Sequence, residues 1–548
     1  MITIDGTVPW PRPVAAEYRE RGYWQGISLA SRIAGTVDRG PDRIALVDGA
    51  TRLTYRELWD RAGSIARTLL DLGLVPGDRL VVALPNCWEF VALTLGCLRT
   101  GLVPVMALPA HRQHELTHIA DIAGARALVI AGTDRGADLR AVAQQVCRAV
   151  TGIRAVLIHG DHAPNGEPTE VPEYPLYAAG RAARLADGGF EPGGSDIACM
   201  LLSGGTTGLP KLIVRTNDDY LCNIAHCAEV AGFDRDTVYL GALPGSHNFS
   251  LACPGILGAL TAGGRVVMLP SPAPERALPA VAAEGVTVAA VVPAVAQSWI
   301  EFGRAHPEID LSTLRVLQVG GTRMPDELAA RVEPVLGARL QQVFGMAEGL
   351  INMTRLDDDP AVIVSTQGRP VCPADEILVV DESGVPVPDG TPGALLTRGP
   401  YTPRGYFRAP EHNARAFTAD GWYGSGDIVI RRPDGNLVVA GRDKDMINRG
   451  GEKISAEEIE NFAYRIPGVE AAAAVAMPDP VLGERPCLYL TVAPGHPVGL
   501  DEVVAVMNRA GVARFKLPER VILLDAMPVT KIGKIDKKAL RDDIRDRL

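Results

Sequence analysis

The stretch RLVVALPNCWEFVALTLGCLRTGLVPVMALP (residues 79–109) decides the fold. RLVVALP is a short apolar run rich in β-branched residues, CWEFVALTLGCLRTG has the length and texture of a buried helix, and VPVMALP is again strand-like. The central twenty residues, FVALTLGCLRTGLVPVMALP, are long enough to raise the question of a membrane crossing. Arg99, two glycines and two prolines interrupt them, so a core helix followed by a strand is the better reading.

The same alternation recurs outward from this point. ARALVIAG, GRVVMLP, GVTVAAVVP and LRVLQVGG sit between helix-like segments such as MPDELAARVEPVLG. Strand–helix–strand repetition predicts parallel sheets covered on both faces, in two α/β regions at roughly 45–180 and 181–350. From about residue 365 the texture changes to short strands broken by Pro, Gly and Asp, which predicts a small β-barrel or meander. After VVAGRDKDMINRGG the remainder reads as a separate α+β unit, its SAEEIENFAYRI segment opening as a helix with Ser455 as N-cap and Glu458 three positions on. The boundary falls at Arg442–Asp443, giving a large α/β domain over 1–442 and a small one over 443–548.

Length and composition agree with this division. At 548 residues the chain exceeds a single compact core, and 47 % hydrophobic with 22 % charged residues is an ordinary globular balance. A net charge of −10 and the lack of a long basic block argue against nucleic acid or an anionic membrane surface as partner. The nine cysteines are scattered, with no CxxC pair, which predicts a reduced, cytoplasmic protein without a disulfide framework or structural zinc. The start MITIDGTVPW has no basic segment leading into an apolar one, so no signal peptide is expected.

LLSGGTTGLPKL (201–212) carries the strongest local chemistry. Ser203, Gly204, Gly205, Thr206, Thr207 and Gly208 let backbone N–H groups approach phosphate oxygens, the hydroxyls add donors, and Lys211 supplies charge. The GxxxxGK[ST] spacing of a Walker A loop is absent. Glu348 follows a Gly-containing turn, where a carboxylate suits Mg²⁺ beside phosphates. Taken singly, Glu348 reads as a solvated carboxylate, and Asp427 and Arg442 as members of surface ion pairs. Four lysines, Lys531, Lys534, Lys537 and Lys538, crowd the C-terminal region, and their chemistry alone does not choose among them.

Together these segments resemble the acyl-adenylate-forming enzymes: acyl-CoA synthetases, luciferases and the adenylation domains of peptide synthetases. LLSGGTTGLPKL is similar to the family's signature loop, VFGMAEG (343–349) to its aromatic–Gly–x–x–Glu segment, and GWYGSGD (421–427) to its Gly–Asp segment. GRDKDMINRGGEKIS (441–455) resembles the hinge and PVTKIGKIDKKAL (528–540) the lysine motif, so the likeness spans nearly the whole chain. It implies ATP and Mg²⁺, with Glu348 on the metal, Asp427 and Arg442 on the ribose, Gly321, Val343, Gly345 and Met346 around the nucleotide, and Lys534 as the adenylation lysine. It further implies a mobile C-terminal domain turning about Asp443, so that Gly451 and Lys453 line a tunnel for a phosphopantetheine thiol, on an aryl carrier protein in trans or on CoA.

SHNFSLACPG (246–255) resembles the subgroup that activates small hydroxylated aromatic acids for siderophores and related metabolites. The resemblance gives His247 a catalytic part and assigns Asn248, Phe249, Cys253, Gly320 and Ile351 to the acid. An asparagine amide both donates and accepts, which suits a 2-hydroxyl or a 2-amino group. Taken alone, His247 reads equally as a satisfied core histidine. Cys253 stands where the subgroup has serine for 2,3-dihydroxybenzoate and cysteine for salicylate. A thiol is a poor hydrogen-bonding partner, so a buried 3-hydroxyl would lose about 1–3 kcal/mol. Ser250 replaces the subgroup's proline and Gly245–Ser246 a bulkier pair, which predicts a looser loop and a roomier pocket open to substituted salicylates or anthranilate. Thr322 and Ala394 are further departures.

Overall fold

A computed structural model describes residues 2–134, 137–160, 171–177, 190–203, 209–321, 323–324, 326–381, 383–442, 446–496, 498–528 and 535–548. The opening stretch forms the predicted unit. Strand Arg79–Ala83 leads into helix Trp88–Thr100, buried along nearly its whole length, and then into strand Val103–Met106, which lies parallel to the first with Val81 opposite Val105. A helix apolar on all sides must be covered on all sides. Helix Tyr55–Asp71 packs against it, Arg99 donates to the Trp59 carbonyl at 2.7 Å, and Gly96 allows close approach because a Cβ there would lie 2.8 Å from the Ala62 carbonyl oxygen. Among the described residues no helix is long and apolar enough to cross a membrane.

Two sheets carry the large domain. The seven-stranded one runs in the order Leu212–Thr216, Ile197–Leu202, Val103–Met106, Arg79–Ala83, Ala127–Ala131, Ala155–His159, Glu173–Pro175. The nine-stranded one centres on parallel strands Val316–Gly320, Val288–Val291, Val238–Gly241, Arg265–Met268 and Ile44–Asp48. The two regions expected along the chain therefore exchange strands: Ile44–Asp48 and Thr51–Thr54 join the later sheet, and Ile197–Leu202 with Leu212–Thr216 join the earlier one. Apolar alternation reports that a strand is buried, and it carries no information about which sheet receives it.

Glu376–Val380, Pro392–Arg398, Tyr423–Arg431 and Leu437–Arg442 then form a four-stranded antiparallel sheet in simple meander order. Sheet membership changes between Arg442 and Met446. The following strands, Met446–Arg449, Glu452–Ser455, Val469–Asp479, Gly483–Val492 and Arg520–Leu523, belong to a separate five-stranded sheet. Helix Ala456–Ala463 starts directly after Ser455, and Glu458 within it faces Lys516 at 3.0 Å. Asp443, the expected hinge, lies outside the described residues.

Candidate active site

One cavity gathers most of those site residues singled out in the sequence that the structure describes. It opens where parallel strands of both sheets end: Met106, Leu202–Ser203, Gly321, and Val343 to Gly345 all stand at or just beyond strand C-termini. Open α/β sheets bind ligands at such strand ends, where backbone groups are freed from the ladder.

SHNFSLACPG forms its floor. His247 is the N-cap of the short helix Asn248–Ala252, its Nδ1 accepting from the Phe249 N–H at 3.3 Å, and its side chain is exposed to the cavity. The alternative of a core histidine is thereby removed. Asn248 is 7 % exposed, and its amide is held from two sides. The Tyr220 hydroxyl donates to Oδ1 at 2.9 Å and Nδ2 donates to the Cys253 sulfur at 3.3 Å. Tyr220, which sequence reasoning missed, lies on helix Asn217–Val230, and only the packing of that helix against the floor brings it to Asn248. Phe249, Cys253 and Ile351 line the same space. Gly320 stands behind Phe249: a Cβ there would sit 3.2 Å from the Phe249 ring and 2.8 Å from the Val343 carbonyl oxygen.

Two expectations about this floor are corrected. Ser250 does not loosen the loop, because its fully buried hydroxyl donates to the Leu243 carbonyl at 3.2 Å. Gly245 does not enlarge the cavity either, because the Phe90 ring fills the place a side chain would take; a Cβ added at Gly245 would stand 2.8 Å from it. Ser246 is the unforeseen polar group here: its buried Oγ lines the cavity and has no hydrogen-bond partner among the described residues.

The opposite end is polar. Ser203 and Lys211 close the base of the signature loop, with the Ser203 N–H donating to the Lys211 carbonyl at 2.9 Å and the Lys211 N–H donating to Ser203 Oγ at 3.3 Å. Gly204, Gly205, Thr206, Thr207 and Gly208 lie outside the described residues. Lys211 Nζ sits 5.2 Å over the Tyr406 ring, and the Tyr406 hydroxyl donates to Glu348 at 2.9 Å. Met346 and Glu348 line the cavity, Glu348 being 8 % exposed. Arg215 braces this turn through its 3.1 Å bond to the Ala347 carbonyl, while pairing with Asp219 at 2.7 Å in full burial. The Glu348 carboxylate at this polar end fits Mg²⁺, which takes few protein ligands and completes its shell with phosphate and water. Asp427 is buried on strand Tyr423–Arg431 and stands opposite Arg442 in register; it is not among the cavity-lining residues. The side chains of Arg442 and Lys453, and the whole of Lys534, lie outside the described parts of the chain.

The small domain supplies the remaining wall. Gly450 and Gly451, both at positive φ, turn the hairpin between Met446–Arg449 and Glu452–Ser455. Gly451 faces the cavity, and a Cβ there would meet Val292 at 2.9 Å. Glu452, Phe515 and Lys516 complete that side. The contact is fastened by Lys516, 3.4 Å from the buried Glu115 of the large domain, and by the Ala513 N–H, which donates to Glu115 at 3.1 Å. Sequence reasoning missed these residues because nothing local links 115 to 516.

Strand-end cavity, glycine-rich loop and carboxylate turn together define an adenylate-forming ligase architecture, and the chain belongs to the AMP-binding enzyme family. The family's main model matches residues 33–407, and that of the AMP-binding enzyme C-terminal domain matches 458–534. A Streptomyces protein named salicylyl-CoA synthase / salicylate adenylyltransferase is 55 % identical over 100 % of this chain and 99 % of its own length. The Mycobacterium tuberculosis salicyl-AMP ligase / salicyl-S-ArCP synthetase is 45 % identical, covering 98 % of this chain and 94 % of the relative. The apo structure of Mycobacterium smegmatis MbtA superposes with a TM-score of 0.72 at 44 % identity, over 98 % of each chain.

Proposed function

We propose that this enzyme activates a 2-hydroxylated aromatic acid, salicylate or a substituted salicylate, as its aryl-adenylate and then passes the aryl group to a phosphopantetheine thiol. The observation that carries the reading is the buried Asn248 amide, oriented by Tyr220 and Cys253 in the cavity floor. With Oδ1 engaged by Tyr220, the amide N–H groups face Cys253 and the cavity, which favours an ortho oxygen acceptor over an ortho amine.

The aryl carboxylate attacks the α-phosphate and pyrophosphate leaves. Glu348 would hold Mg²⁺, which screens the phosphate charge when bound. Lys211 and the loop beginning at Ser203 cradle the departing phosphates, Asp427 and Arg442 accept the ribose, and Lys534 neutralises charge building at phosphorus. Gly321, Val343, Gly345 and Met346 flank the nucleotide. In the second half-reaction the small domain turns about Asp443, and the hairpin carrying Gly451 and Lys453 borders the path of the incoming thiol, with His247 beside the reacting carbonyl.

The acceptor is an aryl carrier protein in trans; CoA is a second reading, favoured by the name of the Streptomyces relative. Thioester formation with holo carrier protein against free CoA separates the two. ATP–pyrophosphate exchange across salicylate, 6-methylsalicylate, 2,3-dihydroxybenzoate, anthranilate and benzoate tests the acid, with salicylate-type acids expected to lead. Equal exchange with benzoate would remove the role given to Asn248. Full exchange in Lys534→Ala would remove the mechanism.

A further inference from the structure

Helix Asn217–Val230 serves the cavity with only one of its faces. Tyr220 bonds Asn248, and Cys227, seven residues on, neighbours Cys253 from the same side. At about 100° per residue, Cys222 and His226 point the opposite way, one turn apart. There they meet Cys372, which arrives from the segment leading into strand Glu376–Val380. The two sulfurs and a His226 ring nitrogen lie within 4.8 Å of one another; Cys222 Sγ is 3.6 Å from His226 Nδ1, which is also 2.9 Å from the Cys222 carbonyl oxygen and would give up that bond to take a metal. A tetrahedral zinc with ordinary Zn–S and Zn–N bonds spaces its sulfur and nitrogen ligands about 3.6 Å apart.

We propose that Cys222, His226 and Cys372 form a zinc site that staples the pocket helix to the segment entering the four-stranded sheet. Two thiolates and an imidazole select zinc over the hard cations that serve nucleotides. Cys222 and Cys372 are 3 % and 1 % exposed, so the sulfurs are shielded from solvent, while the partly exposed His226 marks the entry side. Asp375, three residues beyond Cys372, is a neighbouring carboxylate that lies outside the 4.8 Å group. Its N–H donates to the Cys372 carbonyl at 3.1 Å and its Oδ2 accepts from the Tyr401 hydroxyl, while its buried Oδ1 has no hydrogen-bond partner among the described residues.

The test is cobalt and zinc binding by the full-length protein, stripped with a chelator under reductant. Stoichiometric Co²⁺ uptake with a sulfur-to-cobalt charge-transfer band and intense tetrahedral d–d bands is expected, with zinc displacing cobalt and raising the thermal midpoint. Even outer-shell partners are commonly worth about 10–100-fold in metal affinity, so Cys222→Ser/Cys372→Ser should weaken binding by more than about a hundredfold. His226→Gln removes a ligand at the partly exposed side, away from the core, and should lower affinity in the same sense. Absence of thiolate-bound cobalt in the wild type overturns the proposal. So does binding that survives the double substitution, or that is lost instead in Cys87→Ser, which breaks a second group of possible ligands, Cys87, Glu89 and His159.

Discussion

Asn248 and Cys253 act as a pair, because one amide hydrogen of Asn248 is spent on the Cys253 sulfur at 3.3 Å. A thiol accepts weakly and takes more room than a hydroxyl, so the wall it makes suits a ring carbon better than a second hydroxyl. Cys253→Ser should therefore raise kcat/KM for 2,3-dihydroxybenzoate relative to salicylate by about tenfold, the value of one hydrogen bond of average strength. Pyrophosphate release with the two acids measures this, and an unchanged ratio would mean that the ring does not approach Cys253. The proposed pairing of these residues with the aryl acid comes from their motif in the sequence. Their mutual contact and the clamp from Tyr220 were not, since both depend on packing between a short helix and a long one.

At the scale of elements, strand Leu212–Thr216 and helix Asn217–Val230 are joined by a fully buried ion pair, Arg215–Asp219. Asp219 also accepts from the Thr216 N–H at 2.7 Å and hydroxyl at 2.6 Å, closing a capping box at the helix start. Arg215 reaches past this junction to the Ala347 carbonyl and so couples the signature-loop hairpin to the Glu348 turn. Removing one partner of a buried pair leaves an uncompensated charge, so Arg215→Met should lower stability by about 3–5 kcal/mol, read from urea unfolding. Arg215→Met/Asp219→Leu should recover part of that loss. Neither residue stood out in the sequence, because their pairing and the reach to Ala347 arise only when strand and helix are packed in the fold.

At the scale of the molecule, the seam between the two domains places charge in burial. His111 lines the cavity near this seam and accepts from the Leu108 N–H at 3.2 Å. Burial lowers its pKa from 6.5 to about 4, with Glu115 opposing and Lys516 and Arg112 reinforcing the shift. A histidine depressed in the folded state contributes stability that is complete above its unfolded pKa and is lost as pH falls through the interval to its folded one. Stability should accordingly decline between about pH 6.5 and pH 4, by at most about 3 kcal/mol from this group. His111→Gln should flatten that part of the pH profile in chemical denaturation, and an unaltered profile would assign the decline elsewhere. By itself the sequence determined the alternation of strands and helices, the change of texture before the small domain, and the order of the chemical motifs. These are written in local periodicity and in runs of small or charged residues, which act where they stand. Only the tertiary structure decided which sheet each strand joins, that Phe90 fills the space beside Gly245, that Lys516 answers Glu115, and that Cys222, His226 and Cys372 meet. The physical reason is that a buried pattern states a residue's need for a partner, whereas the partner's identity is settled by packing across distant parts of the chain.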